Sequence, residues 1–567
     1  MSEHKLDLLI QNGFIVDGTG SPGYAGSVGI KDGKIVAIGE VEMPAHDTID
    51  AGGHVISPGF IDIHTHYDAQ IIWDRMLTIS PWHGVTTAVM GNCGFSVAPT
   101  RPEHRDVIIR TLENVEGMTV AALQAGLGEQ WPFESFPEYM DAIENAGIAI
   151  NVGALIGHTA LRTYVMGLDA TERTATDAEL LSMREIVREA LEAGALGFAT
   201  SKSSTHVGYE GKPVPSRAAD IDEMLALAGV IKETGKGGII QATVGRDLTF
   251  EHFMELNKAS GGPVTWTALL AGANLNGGTA SEQLARSREL IADGYDVIPQ
   301  VTPRALNFEY QLSAPFVFEA MRMFKPVSEA DFEGKKAIYA DPEFRAAFWT
   351  RMDTKVPATF RESFAATVIS EMPGRPDLNE KNVFELADEL GKTPVETLFD
   401  LGLESNLTAR FRSPVANHDE SQVEELLQSE DTVIGLSDAG AHASQLCDAC
   451  LTTYLLRRWV REKGVLSLEK AVRMITSRPA EVFGIHGRGT LAVGMAADVV
   501  VFDRDTVGDS PLRRVYDLPG GADRLVSDAV GIDAVIVNGV LLRQNNQDMV
   551  DPNGPLPGRM LRNGTAQ

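Results

Sequence analysis

A short apolar run recurs eight times along the middle of this chain. Each follows a glycine or loop signal, ends in small or polar residues and gives way to helical periodicity. The runs are GFIDIHTH (59–66), GVTTAVMGNC (84–93), GIAINVGALIGH (147–158), GALGFATS (194–201), GGIIQATV (237–244), GPVTWTALL (262–270), YDVIPQVTPR (295–304) and TVIGLSDAG (432–440). Stretches such as ATDAELLSMREIVREALEAG (175–194) lie between them. Near-continuous apolar strands alternating with helices are the pattern of a parallel sheet buried on both faces. Eight such units close a (β/α)8 barrel, so the expected fold class is α/β, with the barrel over residues 58–484.

The two ends read differently. Leu6 to Val16 and SVGIKDGKIVAI (27–38) are short strands, the second bent at Asp32-Gly33, a pair that tolerates the positive φ of a two-residue hairpin loop. GTLAVGMAADVVVFD (489–503) and AVIVNGVLL (534–542) repeat that character at the other end. Each set alone has few strands and unpaired edges. Residues 1–57 and 485–567 are therefore expected to form one small composite β-sandwich. One barrel connection is far too long for a crossover helix and marks an insertion at about 305–431. Its aromatic start, NFEYQLSAPFVFEAMRMF (307–324), suits either a lid over the barrel mouth or a subdomain with its own core.

Composition narrows the partners. The 567 residues carry 49 Lys+Arg against 78 Asp+Glu, a formal net charge of −29. Nucleic acid and anionic membrane surfaces call for the opposite sign. A small-molecule substrate is the expected partner. Three cysteines cannot build a disulfide framework. Cys447-x-x-Cys450, without a second pair, reads as two small apolar residues on a helix. The start MSEHKLDLLIQNG lacks a signal peptide's apolar core, and no apolar run reaches the ~20 residues of a membrane span. A cytoplasmic location is expected. The glycine clusters GTGSPG and ANLNGG lack the strand–loop–helix setting of a phosphate loop and read as turns.

His64-Thr65-His66 ends the first run. Residues i and i+2 of a strand share a face, which in a closed barrel is the interior. Two imidazoles there can hold one cation, and two buried imidazoles with no shared partner would be costly. Asp438 ends the eighth run, which a closed barrel places beside the first. A carboxylate at that point can bind the same metal and take a proton from water that the metal acidifies. An aspartate before a helix can also serve simply as an N-cap.

PGFIDIHTH, the late SDAGAH, GHTALR (157–162) and GTLAVGMAADVVVFD together resemble the amidohydrolase superfamily. DGTGSPG, GVTTAVMGNCG and NVEGMTVAALQAG resemble its N-acyl-D-amino-acid deacylase (D-aminoacylase) branch. The resemblance covers nearly the whole chain. It implies a metal-dependent amide hydrolase with a barrel and a sandwich built from both termini. His64, His66 and Asp438 then correspond to the metal pair and catalytic aspartate, and Cys93 to the branch's cysteine ligand, where a buried inert thiol is the alternative. The resemblance also implies homo-oligomers.

The branch's two further histidines, at the ends of strands five and six, are missing. Gln241, Thr243, Thr265 and Thr267 stand in those runs, and they are poor transition-metal ligands. His64, His66, Cys93 and Asp438 suffice for one zinc-like ion, which is favoured here over two. Lys202, His206, His158 and His442 are candidates for additional ligation or for supporting the ligands. Arg304, ending strand seven, suits a substrate carboxylate, with an internal salt bridge as the alternative. The expected reaction is hydrolysis of an N-acyl (D-)amino acid. A cyclic amide or ester hydrolase on the same scaffold is the rival reading, and a catalytically degenerate binding barrel is a third.

Overall fold

The computed structural model describes residues 5–272, 278–319 and 321–566. Its eight-stranded parallel sheet consists of β1 (Phe60–Asp62), β2 (Val85–Met90), β3 (Asn151–Gly157), β4 (Gly197–Ser201), β5 (Ile239–Thr243), β6 (Val264–Thr267), β7 (Val297–Val301) and β8 (Val433–Ile434), each paired with its neighbour in chain order. Every strand falls inside one of the eight apolar runs. β2 to β7 are buried along their whole length, as strands covered on both faces must be.

The ring closes just beyond the ends of its first and last strands. Thr65 forms a parallel bridge with Ala439. His66 N–H donates to the Ala439 carbonyl at 2.7 Å, and Asp438 N–H to the His64 carbonyl at 3.2 Å. The Ser437 hydroxyl also donates to the His64 carbonyl, at 3.0 Å. The seam of the barrel thus runs through the residues singled out for chemistry.

Strands from both chain ends share one nine-stranded sheet, the terminal β-sandwich. Val55–Pro58 pairs in parallel with Leu6–Ile15 on one side and antiparallel with Val499–Phe502 on the other. The Asp32-Gly33 turn joins Tyr24–Lys31 to Lys34–Gly39 with φ of 50° and 72°, as the hairpin signal requires. Ile10, Ile15, Val28 and Ile30 pack with Val499, Val501 and Ile536 in one core. The final residues leave this sheet: Gly558 and Met560 bridge to Ile148 and Val152 at the start of β3.

The insertion has a separate core and a three-stranded antiparallel sheet from Leu306–Gln311, Arg410–Ala416 and Val368–Glu371. Tyr310, Phe318 and Phe324 of the aromatic run are buried in that core with Phe348 and Phe399. Phe308 lies outside that core, its ring 5.5 Å from that of His442 in the loop after β8. Asn417 ties off the neck, donating to the carbonyls of Thr302 and Arg304 and accepting from Ala271 N–H at 2.6 Å. Of ANLNGG, residues 273–277 lie outside the described residues. No helix among the described residues is long and apolar enough to cross a membrane.

Candidate metal centre

The strand period and the closing seam together converge the donors. His64 and His66, 1% and 7% exposed, flank Thr65 with their rings 5.3 Å apart. Asp438 reaches them across the seam: its Oδ1 lies 3.4 Å from His64 Nε2 and 3.8 Å from His66 Nε2. Cys93 Sγ lies 3.5 Å from His64 Nε2. The ligand atoms of His64, His66 and Cys93 all fall within 4.8 Å of one another.

Cys93 is delivered by a tight turn after β2. Gly91 must be glycine, because its φ is 86° and a Cβ would strike the Leu155 carbonyl. Cys93 itself is left-handed, φ 56°, as is Asp438 at φ 46°. Non-glycine residues in that region are strained, and they persist where surrounding contacts over-determine them. Asn92 donates to the carbonyls of Val89 and Thr65, and the Gln241 side-chain oxygen accepts from Cys93 N–H at 2.6 Å.

The donor set fits one divalent transition ion. Gln300 Oε1, an acceptor, lies 2.7 Å from His64 Nδ1 and so receives its proton. Glu116 Oε1 lies 3.2 Å from His66 Nδ1 in an ion-pair contact, which favours a proton on that nitrogen by charge. Both Nε2 atoms are then free to present lone pairs. Burial would push the Cys93 thiol up, but the His64 and His66 imidazoles outweigh it and hold it down to about 7, within reach of the thiolate. Asp438 Oδ1 is buried without a hydrogen-bond partner, and the residue caps no helix, since the next begins at Leu451. Two nitrogens and a sulfur within 4.8 Å of one another, with a carboxylate oxygen 3.4 and 3.8 Å from the nitrogens, are a zinc-type set.

The quarter where strands five and six would offer further imidazoles is closed by hydrogen bonds. Gln241 Nε2 donates to Thr243 and Thr267 hydroxyls at 3.4 and 3.2 Å, and Thr267 to Thr243 at 3.1 Å. These side chains satisfy one another and hold Cys93.

The other expected residues are held elsewhere. Lys202 Nζ donates to the carbonyls of Arg217, at 3.0 Å, and Ala219, and so anchors its own loop. His158 sits between Thr200 and Glu223, 2.8 Å from each, in a buried network with Arg162. His206 Nδ1 is 2.6 Å from the Ser201 hydroxyl, and its ring packs 4.9 Å from Phe95, which lies 6.3 Å from His66. Burial, aided by the His66 and His442 charges, pushes its imidazole down to about 3, so it stays neutral beside the cluster. His442 contributes its backbone N–H to the Glu116 carbonyl.

Arg304 takes the internal salt bridge. Its Nε lies 3.0 Å from Asp448 Oδ1, and Nη1 meets the Cys447 carbonyl and Cys450 Sγ. The expected pairing with a substrate carboxylate gives way because a buried guanidinium takes the nearest buried carboxylate. Cys447 and Cys450 line this basket in the turn before helix Leu451–Tyr454, not on a helix.

Sequence reasoning missed Glu116 and Gln300, although Glu116 stands inside the quoted NVEGMTV stretch. It also missed the C-terminal hairpin Arg513–Leu518/Ala522–Val526. Leu525 N–H donates to the Ala443 carbonyl at 2.7 Å, and Arg514 ion-pairs with Glu309 of the insertion. Arg524 and Leu525 border a cavity of about 30 Å³ beside Asp438, also lined by Tyr67, Gln70 and Asp448.

Residues 47–542 match the model of the amidohydrolase family, and the chain belongs to that family. Within it the similarity runs to the N-acyl-D-amino-acid deacylases. The chain is 30% identical over 581 residues to N-acyl-D-glutamate deacylase of Alcaligenes xylosoxydans xylosoxydans, covering 99% of this chain and 97% of that protein. The crystal structure of N-acyl-D-glutamate deacylase from Bordetella bronchiseptica, complexed with zinc and a phosphonate inhibitor, superposes with a TM-score of 0.66 at 28% identity, covering 98% and 100% of the two chains. A D-aminoacylase structure, whose binuclear metal centre is described as activated by one metal and attenuated by the second, gives a TM-score of 0.67 at 26% identity over 98% and 100%.

Proposed function

We propose that this protein hydrolyses an amide C–N bond, most simply that of an N-acyl (D-)amino acid, with one divalent ion, zinc first among candidates, held by His64, His66, Cys93 and Asp438. The observation that carries the reading is the partnerless Asp438 Oδ1 facing two imidazole nitrogens beside Cys93. An ion held there supplies a Lewis acid for the amide carbonyl and makes water acidic near neutral pH. Asp438 accepts the proton of the attacking water on its carboxylate and returns it to the leaving nitrogen. Gln300 and Glu116 hold the imidazoles in the tautomer that keeps Nε2 free. The hydrogen-bonded Gln241, Thr243 and Thr267 support a count of one ion rather than two.

The N-acyl amino acid is supported by the activities that the relatives' names give. One observation favours the rival reading of a cyclic amide, ester or other substrate without a carboxylate: Arg304, the cation expected to receive that group, is committed to Asp448. A third reading, a binding barrel without turnover, predicts that His64→Ala changes nothing. We assign residues 58–484 to the catalytic barrel and 1–57 with 485–567 to the sandwich, with 305–431 as the substrate-facing insertion. The three free cysteines suit a reducing cytoplasm. Elemental analysis of the purified chain, followed by a screen of N-acyl-D-amino acids against neutral amides, cyclic amides and esters, tests the proposal. One equivalent of zinc and amino-acid release support it. Folded protein that retains no transition metal overturns the mechanism, and turnover confined to compounds without a carboxylate overturns the substrate.

A further inference from the structure

We propose that Glu116 is a positioning residue of the metal centre: its carboxylate fixes His66 and lends that imidazole the negative charge that makes it the stronger of the two nitrogen ligands. This rests on the metal site proposed above. Glu116 ends the helix Arg105–Glu116, which stops at Gly117 with φ 64°. A helix C-terminus already carries partial negative charge, so a carboxylate in the last turn is in the wrong place for its helix. It is also 3% exposed, far from the water that would solvate it. Helix stability and solvation therefore both argue against a glutamate here, and a local role must offset them.

The ion pair described for it is with His66: Oε1 to Nδ1, 3.2 Å. Both atoms are buried and neither has a hydrogen-bond partner, so what joins them is an ion-pair contact. A carboxylate on the far nitrogen of a ligating imidazole fixes the ring and raises the basicity of the near nitrogen. His64 receives different treatment. Its Nδ1 faces the neutral side-chain oxygen of Gln300 at 2.7 Å, which orients the ring without adding charge. The two histidines of one H-x-H are thus made unequal by their partners.

The backbone of the same residue reaches the other side of the site. The Glu116 carbonyl accepts from His442 N–H. The Gly117 carbonyl accepts from the Ser444 hydroxyl at 3.4 Å. Side chain and main chain of one helix end therefore hold His66 and the turn that follows Asp438.

Competition with a chromophoric chelator, on the full chain, tests this. Glu116→Gln keeps the acceptor and the volume and removes the charge. It should weaken zinc binding by about 10–100-fold and alter the visible absorption of the cobalt-loaded protein. The apoprotein should melt no lower than the parent, since a misplaced buried charge has gone. In a His66→Ala background the same change should have no further effect on affinity, because Glu116 acts through that ring. An E116Q chain that binds zinc within threefold of the parent, or that weakens it equally with and without His66, overturns the proposal. A parent that binds no ion overturns the metal reading itself and this proposal with it.

Discussion

Asp438 brings its carboxylate into a space framed by two imidazoles and a thiol on the edge of ionisation, a set that calls for a shared positive charge. Replacing it with asparagine keeps the shape and removes the base. Asp438→Asn should lower kcat by about 10²–10⁴-fold while the chain, assayed for zinc, still holds the ion through His64, His66 and Cys93. Retained turnover would dismiss Asp438 as the proton carrier. Arg304 makes the opposite kind of residue. Arg304→Met leaves Asp448 buried without its partner and should cost about 3 kcal/mol of stability, read from denaturant midpoints, with equal effects on anionic and neutral substrates. A selective rise in KM for anionic substrates would restore it to the substrate site. The H-x-H was legible because the two-residue period of a strand is written directly in sequence. The direction of the Arg304 fork was not, since the final residues of a strand say nothing about which buried carboxylate lies nearest. Glu116 escaped for a related reason: 50 residues separate it from His66, and no periodicity links a helix end to a strand end.

At the scale of elements, helix His158–Met166 and helix Ile221–Thr234 are joined by one buried carboxylate. Glu223 takes His158 Nε2 at 2.8 Å and the Arg162 guanidinium. Burial alone would raise its carboxyl, yet the His158 and Arg162 contacts outweigh that and hold it at about 2, against an ordinary 4.5. A depressed carboxyl stabilises the fold fully above its unfolded value and loses that contribution as pH falls from about 4.5 toward 2. Glu223→Gln should therefore be less stable than the parent at pH 7, by on the order of 2 kcal/mol after solvent screening. The gap between their urea midpoints should close below pH 4. A constant gap would show that the pair contributes through packing instead. The strands of the barrel were readable as apolar runs because both faces are covered. The insertion's aromatics were readable as a cluster but not as to their contacts: Tyr310 and Phe318 are buried in the insertion's core while Phe308, two residues before Tyr310, meets His442. The hairpin that brings Arg524 to the cavity lined by Asp438 was hidden, since its residues lie in the segment assigned to the sandwich.

For the whole molecule, the seam would couple occupancy of the proposed metal site to closure of the barrel. His64 and His66 follow the first strand, Asp438 follows the last, and a single bridge at Thr65 and Ala439 joins them. An ion at 1,000 times its dissociation constant adds about 4 kcal/mol to the folded state. Chelation should lower the Tm, and amide exchange should rise first along residues 62–66 and 437–442. Uniform exchange across all eight strands would separate the ion from the seam. The closed ring itself could be inferred from counting eight units. That its joint coincides with the ligands could not, because β8 is only two residues long and its run gives no sign of where pairing stops.

The shared sheet imposes an order in time. Val55–Pro58, apolar and buried along its whole length, awaits Val499–Phe502, which emerges roughly 440 residues later. At synthesis rates of ~5–20 residues per second that is a delay of roughly 20–90 s. Throughout that interval the early strands hang from the ribosome with one edge unpaired, open to any neighbouring strand until the chain's own last tenth arrives to cover it.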